Sequence, residues 1–405
     1  MRPTHRTLDK LNKDFDPFPP GWEMVYVPSP LASVPLKNSL GIATFARAST
    51  ANYTDRYGEW QTAAIDEPRF EAEGLLVEDE VTNMCLHSQD FTNGVWIGIP
   101  EILGQVEAPD GTITADNVHV EAGTVEAYQS ILVADEWPYT FSYYISNNNM
   151  GDDNFNQYAI WDATHSTWIV PPTSDYNGVG GWDRKSIYFV TPLNCAEIWV
   201  YPIYTNGQTG TFDIWGAQLE RLTFPSSYIA TAAATMTRAN DILSIPWYGN
   251  MPGGSDPFTV VIDFHVPYGM SPDPVDSPIR ALFNIHTLVS GGGGSDDITA
   301  QFFHGTDNMY IKWPTRYIET GIKLIPGKQY RVCLTYDSHT IGAYENGVHD
   351  SDSVPSDHPE GEGDLIYIGM EKKTYDGLPG HNLFGHVSNF QIYDVALTAT
   401  QVRTL

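Results

Sequence analysis

Tyr139-Thr140-Phe141-Ser142-Tyr143-Tyr144-Ile145 is built almost entirely from aromatic and β-branched residues, the types that β-strands favour. Two later stretches have the same character, Ser186-Ile187-Tyr188-Phe189-Val190 and Ala196-Glu197-Ile198-Trp199-Val200-Tyr201-Pro202-Ile203-Tyr204. Clusters of turn-forming residues separate them, at Asn147-Asn148-Asn149, Asn177-Gly178 and Asn206-Gly207. No segment keeps an apolar stripe at the helical period of about 3.6 residues. The pattern predicts an antiparallel β-sandwich over residues 91–245, with few and short helices.

A second sandwich is predicted after a break in this pattern. Residues 246–256 are rich in Pro, Gly and Ser and indicate a linker. Strands resume with Phe258-Thr259-Val260-Val261-Ile262-Asp263-Phe264, and Asn346-Gly347 occupies the two-residue position that type I′ hairpin turns demand. The chain is therefore predicted to be all-β, with two tandem antiparallel β-sandwiches (jelly rolls), the second over residues 257–405.

The N-terminal region differs from both sandwiches. Residues 1–40 contain six prolines between Pro17 and Pro35, which excludes a central strand and leaves little to bury. Such a segment is either disordered or an extended arm that orders on another subunit. We predict an extended Pro-rich N-terminal arm at 1–40, followed by short β-hairpins at 41–90.

Composition limits the classes of partner. The 405 residues include 50 acidic and 21 basic side chains, a formal net charge of −29. That field repels phosphate, so nucleic-acid binding is not expected. No apolar run approaches the ~18 residues of a membrane span, and residues 1–15 contain no apolar h-region, so a secretory signal is not expected. The three cysteines lie far apart, which favours buried thiols over disulfides or a zinc site.

Two groups of motifs carry a more specific signal. Ile214-Trp215-Gly216-Ala217-Gln218-Leu219-Glu220 leads into Phe224-Pro225-Ser226-Ser227-Tyr228-Ile229 and Thr237-Arg238-Ala239. Upstream, in order, lie Phe45-Ala46-Arg47-Ala48-Ser49-Thr50-Ala51-Asn52-Tyr53, Glu67-Pro68-Arg69-Phe70, Gly74-Leu75-Leu76-Val77-Glu78 and Ser88-Gln89-Asp90-Phe91. Over residues 40–245 this order and spacing resembles a pattern of tailed-phage structural proteins. The resemblance implies a virion protein whose first sandwich is a jelly roll similar to carbohydrate-binding modules.

The second half carries another ordered set. It comprises the hairpin at 342–348, the strand Leu365-Ile366-Tyr367-Ile368-Gly369, the strand at 385–394 and the tail at 396–402. This set resembles the concanavalin A-like, laminin-G-type sandwich. It implies the fold of residues 257–405 far better than it implies a ligand.

The resemblances imply a bacteriophage tail fibre or receptor-binding adhesin that recognises a host surface glycan. A head-decoration or tail-adaptor protein without sugar binding is the alternative, and a glycan depolymerase is a third hypothesis. The phage resemblance also implies a homotrimer on the virion, assembled in the host cytoplasm, with residues 1–40 contacting other virion proteins.

Aromatic residues in turn-rich stretches are the predicted ligand contacts. Sugar rings stack on Trp and Tyr, while Asp and Asn accept hydrogen bonds from sugar hydroxyls. The candidates are Trp161, Trp168, Tyr176 and Trp182 in the first sandwich and Trp313 and Tyr317 in the second. Trp199 and Trp215 are instead predicted to lie in the core, because they alternate with Val200 and Ile214 in well-patterned strands.

Catalysis is not expected, since the sequence lacks the metalloprotease, nucleophile-elbow and phosphate-loop motifs. Carboxylate-rich loops offer oxygen ligands for a structural Ca²⁺ ion, or are simply solvated turns. The candidate calcium ligands are Asp152, Asp153, Asp296, Asp297, Asp350 and Asp352. His381 and His386 are a further candidate metal pair, with two unrelated loop histidines as the simpler interpretation.

Overall fold

The computed structural model describes residues 44–121, 123–146, 157–174, 181–207, 209–247, 250–252, 256–267, 280–287, 297–302, 308–313, 316–354, 363–371 and 381–405. These ranges form 29 strands and one short helix, which confirms the predicted all-β class. The predicted arm at 1–40 lies outside them. No helix within them is long and apolar enough to cross a membrane.

In chain order the elements are β1 (Thr44–Ala46), β2 (Ala51–Thr54), β3 (Trp60–Ala63), β4 (Arg69–Phe70), β5 (Leu75–Val77), β6 (Val81–Asn83), β7 (Glu101–Glu107), β8 (Ile113–Val120), β9 (Thr124–Leu132), β10 (Pro138–Ser146), β11 (Gln157–Asp162), β12 (Thr167–Ser174), β13 (Asp183–Val190), β14 (Glu197–Asn206), β15 (Gly210–Glu220), β16 (Met236–Arg238), β17 (Ile242–Pro246), β18 (Phe258–His265), β19 (Arg280–Thr287), β20 (Ile298–Phe302), β21 (Asn308–Trp313), β22 (Arg316–Lys323), β23 (Gln329–Tyr336), β24 (Ile341–Glu345), β25 (Val348–Ser353), β26 (Gly363–Ile368), β27 (Met370–Glu371), β28 (His381–Asn382), β29 (Gly385–Tyr393) and α1 (Ala399–Val402).

The first module is a jelly-roll sandwich of a five-stranded and a four-stranded sheet. Their strand orders are β13-β10-β15-β8-β7 and β12-β11-β14-β9. Apolar residues at every second position of β10 meet those of β11 and β14 in one core, for example Phe141, Ile160 and Val200. This alternation sends the intervening side chains of the four-stranded sheet outward.

The second module is a sandwich of two seven-stranded sheets, ordered β1-β17-β26-β19-β20-β21-β22 and β25-β24-β23-β18-β29-β5-β4. Strands β1, β4, β5 and β17 therefore belong to it, although they come from residues 44–77 and 242–246. The predicted boundaries, with a separate hairpin region at 41–90 and a first sandwich reaching residue 245, are wrong at these strands. Local periodicity reports that a segment is a strand but carries no information on its distant partner.

The first module is thus inserted into the second, and the entry and exit of the insertion lie side by side. Asn83 accepts a hydrogen bond from Leu219 N at 3.1 Å, and Met84 N donates to Leu219 O at 2.9 Å. Nearby, Phe224 of the exit segment packs edge-on against Phe384 of the second module, with ring centroids 5.1 Å apart.

The motifs of the phage-like pattern meet at one buried ion cluster between these segments. Asp241 binds Arg47 Nη1 at 3.0 Å and Arg69 Nη2 at 2.5 Å, and Glu78 binds Arg69 Nη1 at 2.8 Å and Arg238 Nη1 at 3.1 Å. Burial alone would raise the pKa of Glu78, but the guanidinium groups of Arg238 and Arg69 outweigh burial and hold that pKa well below its usual range. The spaced motifs are therefore structural, since they join four chain segments.

The glycine of the Trp-Gly-Ala motif in β15, Gly216, has a backbone conformation and surroundings that favour glycine. Its φ is +68°, and a Cβ atom there would lie 3.0 Å from Tyr144 Cδ2 and 3.3 Å from Tyr228 Cε2. The preceding Trp215 is fully buried, as predicted, but in a small aromatic cluster outside the main core, with Tyr228 at 4.5 Å between ring centroids.

We expect Gly216→Ala to lower the free energy of unfolding by about 1–3 kcal/mol, because it combines left-handed strain with a steric contact. Gly111→Ala is the matched control, since Gly111 has a φ of +77° and open space around its Cα. Urea unfolding of both variants measures the difference. An equal loss in both would show that the tyrosine rings do not constrain this position.

Candidate functional site

The outer surface of the four-stranded sheet carries a row of tryptophans from three adjacent strands. Trp161 of β11 is the direct cross-strand partner of Trp168 in β12 and of Trp199 in β14. Cross-strand partners point to the same side of a sheet. Because Ile160 and Val200 face the core, all three indoles face outward.

Three tyrosines complete this surface, which we call the aromatic face: Trp161, Trp168, Trp199, Tyr128, Tyr201 and Tyr204. Tyr128 of β9 stacks on Trp199 with ring centroids 4.5 Å apart and an interplanar angle of 19°. Trp168 lies edge-on to Trp161 at 4.7 Å and contacts Tyr204 at 5.8 Å. Tyr201 fills the centre, 5.1 Å from Tyr128 and 5.7 Å from Trp168. Tyr201 is 2% exposed whereas the other five are half-buried, so it forms a floor beneath accessible rings.

A carboxylate is fixed beside the stacked pair. Glu197 Oε1 accepts from Trp199 Nε1 at 3.1 Å and from Ser130 Oγ at 2.6 Å. These hydrogen bonds, from Ser130 first and then Trp199, lower the pKa of Glu197, so it is ionised at neutral pH. The rim of the aromatic face therefore offers a hydrogen-bond acceptor in a fixed place.

A second carboxylate, Glu126, lies beside Tyr204, its cross-strand partner. Burial, followed by the charge of Glu126, raises the pKa of Tyr204, and burial raises that of Tyr201 even more. Both phenols therefore stay neutral at physiological pH. The face combines uncharged rings with an acidic rim at each end of β14.

The predicted ligand residues of the first module that the structure describes lie on two different sheets. Trp161 and Trp168 lie together on the aromatic face. Trp182 precedes β13 on the opposite sheet, packs with the cluster around Trp215 and donates from Nε1 to Glu107 O at 3.2 Å. It is not part of the same surface. Tyr176 lies outside the described residues.

In the second module, Trp313 and Tyr317 do not form a common surface. Trp313 is fully buried, with its ring centroid 4.9 Å from that of Tyr336, so we assign it to the core rather than to a ligand surface. Tyr317 is 55% exposed on β22, at the end of its sheet. In the β21–β22 pairing Trp313 is opposite Arg316, and Tyr317, one residue later, points to the other side.

The expectation that Trp199 lies in the core is wrong. A residue that alternates with core residues such as Ile198 and Val200 lies on the opposite side of the sheet, and Trp199 is half-buried there. Tyr128, Tyr201 and Tyr204 were also absent from the predicted site. The period-two pattern of β14 contained the signal for Trp199, whereas the partners of Tyr128 depend on long-range pairing.

The calcium candidates within the described residues have separate local environments. Asp350 Oδ2 accepts from Gly321 N at 2.8 Å, and Asp352 Oδ1 lies 2.9 Å from His349 Nε2. Asp297 is buried at the start of β20. Asp152, Asp153 and Asp296 lie outside the described residues, and calcium binding stays a prediction.

Comparison with known proteins adds a family for part of the chain. Residues 270–403 match the family model described as the concanavalin A-like lectin/glucanases superfamily. Among curated proteins, none matches the sequence.

Similar solved structures include domain 4 of an extracellular arabinanase from Geobacillus stearothermophilus, in complex with arabinotriose (12% identity, 45% of this chain, 81% of that chain, TM-score 0.29). Another is a putative carbohydrate-binding protein from Bacteroides ovatus (12% identity, 70% and 79%, TM-score 0.29). A mutant Trypanosoma rangeli sialidase displaying trans-sialidase activity is also similar (17% identity, 37% and 22%, TM-score 0.28), and the chain spans less than a quarter of that protein. The family match shows that residues 270–403 are similar to concanavalin A-like domains.

Proposed function

We propose that this protein is a glycan-binding adhesin and that its aromatic face is the binding surface. The observation that carries the proposal is the row of Trp168, Trp161 and Trp199 across three adjacent strands, on the side of the jelly roll away from its core. A row of half-buried, outward-facing indoles is unusual for a surface, because burying such rings fully would stabilise the fold.

The chemistry of this surface suits sugar rings. The apolar face of a pyranose stacks on an indole, and fixed carboxylates such as Glu197 accept hydrogen bonds from its hydroxyl groups. With a formal charge of −29 on the chain, a polyanionic polysaccharide would be repelled. We therefore assign a neutral oligosaccharide as the ligand class.

Binding rather than hydrolysis is the proposed activity. A glycosidase needs a carboxylic acid that holds a proton near neutral pH, which requires a raised pKa. The pKa of Glu197, the carboxylate bonded to Trp199, is lowered instead. This carboxylate is suited to accept hydrogen bonds and unsuited to protonate a leaving group.

A tailed-phage virion is the proposed setting, and the motifs that converge on the buried ion cluster support it through their resemblance to phage structural proteins. The homotrimer and the docking role of residues 1–40 stay predictions. Several copies on one particle would multiply a weak contact by avidity, which an adhesin with stacking contacts of about 1 kcal/mol requires.

The test is binding of the purified full chain to an array of neutral oligosaccharides and to polysaccharide from host cell walls. Trp199→Ala is expected to weaken binding about fivefold, and Trp161→Ala combined with Trp168→Ala about 30-fold, since each lost stacking contact is worth about 1 kcal/mol. Calorimetry on the best array ligand measures these ratios.

The matched control is Tyr188→Ala, which removes an exposed ring (41% exposed) from β13 in the other sheet of the same module. It should bind as the parent does. Near-ultraviolet circular dichroism checks that each variant is folded. Equal binding by the parent and the tryptophan variants would reject the aromatic face, and no binding by the parent would favour a purely structural virion role.

A further inference from the structure

A second cluster of chemically active side chains lies in the other module, at the edge of the sheet that contains β29, β5 and β4. Pairing of β29 with β5 places His386 opposite Leu76. The turn between β4 and β5 carries Glu71 and Glu73, and it lies so close that a Cβ atom on Gly74 would be 2.8 Å from His386 Cβ. Residues more than 300 positions apart thus share one site.

The ligand atoms of this cluster are close enough for one ion. Glu71 Oε2 lies 2.8 Å from His386 Nε2. One ligand atom from each of Glu71, Glu73 and His386 lies within 4.8 Å of the other two. Tetrahedral zinc with bonds of about 2.0–2.1 Å places its ligands roughly 3.3 Å apart, so modest side-chain rotation brings all three into range.

A second histidine lies beside this cluster, outside the group of three whose ligand atoms lie within 4.8 Å of one another. His265 of β18 is the cross-strand partner of His386, and the two ring centroids are 5.7 Å apart. His386 faces Glu71 with Nε2, so Nε2 is the nitrogen that would bind the ion. His386 is 4% exposed, so an ordinary surface ion pair does not describe this site.

We infer that Glu71, Glu73 and His386 form a binding site for a divalent transition metal ion, zinc above others. Imidazole nitrogens with carboxylates are a ligand set that zinc accepts, whereas calcium prefers six to eight oxygens. When bound, the ion would tie the β4–β5 hairpin to β29. It would stabilise the second module by mass action.

The experiment uses the full chain, stripped with EDTA and exchanged into metal-free buffer. Titration with ZnCl₂ in a calorimeter is expected to show saturable binding of one ion, and zinc is expected to raise the unfolding temperature. Glu73→Gln should weaken zinc binding at least tenfold, which is about 1.4 kcal/mol, and should leave the unfolding temperature of the metal-free protein unchanged because Glu73 is exposed.

Glu80→Gln is the matched control, because Glu80 is another exposed carboxylate of the same chain segment. It should bind zinc as the parent does. Glu71→Gln provides a second ligand variant. No zinc-dependent rise in unfolding temperature, or equal zinc affinity in the parent and both ligand variants, would overturn the site. Equal affinity for CaCl₂ and ZnCl₂ would overturn the assignment to a transition metal.

Discussion

A chain that begins at residue 84 is expected not to fold its second module, whereas a chain that begins at residue 41 is expected to unfold at the temperature of the parent. The two truncations differ by β1 to β6, of which β1, β4 and β5 join the second module although they are distant in sequence from most of it. This pair tests whether residues 44–83 are a separate hairpin region or part of the core of the second module.

The size of the effect follows from what residues 44–83 bury. Phe45, Leu75 and Val77 lie in the main core cluster of the second module. Burial of each large apolar side chain is worth about 1.5–3 kcal/mol, so these three contribute roughly 5–9 kcal/mol. The truncation also removes Arg47, Arg69 and Glu78 from the buried ion cluster. The total reaches the roughly 5–15 kcal/mol by which a domain is stable.

Near-ultraviolet circular dichroism and binding of a hydrophobic dye measure the outcome on both truncated proteins. The protein of residues 84–405 should bind the dye and lack a cooperative transition for the second module. A single cooperative transition at the parent's temperature in that protein would contradict the shared core. Loss of folding in the protein of residues 41–405 would show that the first 40 residues are also required.

The fold class was predictable because strand signals are local. Tyr139–Ile145 and Phe258–Phe264 carry their own alternation and aromatic content, and both form strands. The partner of a strand was not predictable, because Val77 pairs with a residue of β29 more than 300 positions away. Domain boundaries drawn from linkers therefore missed that β1, β4, β5 and β17 join the second module.

The candidate site was partly predictable for the same reason. Composition was enough to nominate Trp161 and Trp168, but only the register shows that they align with Trp199. Trp313 was predicted as a ligand contact but is buried. An aromatic residue next to a turn suits a core position as well as a surface position, so composition alone does not separate the two. Which side of a sheet a residue faces is local information, and which residues join it there is tertiary information.

Asp241→Asn is expected to lower the free energy of unfolding by about 3–5 kcal/mol, the largest effect of any single substitution proposed for this chain. Asp241 is fully buried, binds Arg47 and Arg69, and accepts from Glu78 N at 2.9 Å. Without the charge of Asp241, Arg47 loses its ion-pair partner and Arg69 keeps only its ion pair with Glu78. The expected loss of stability therefore comes from buried positive charge without a balancing negative charge, and not from the loss of a single contact.

Urea unfolding with a surface control separates these effects. Asp183→Asn breaks the ion pair with Lys185 at 2.7 Å, in which Asp183 is 57% exposed, and should change stability by less than about 1 kcal/mol. Combining Asp241→Asn with Arg69→Met removes one positive charge and should recover part of the loss. If the stability lost in the double variant instead equals the sum of the losses in Asp241→Asn and Arg69→Met measured separately, the two side chains act independently. In that case charge balance would not be what holds the four segments together.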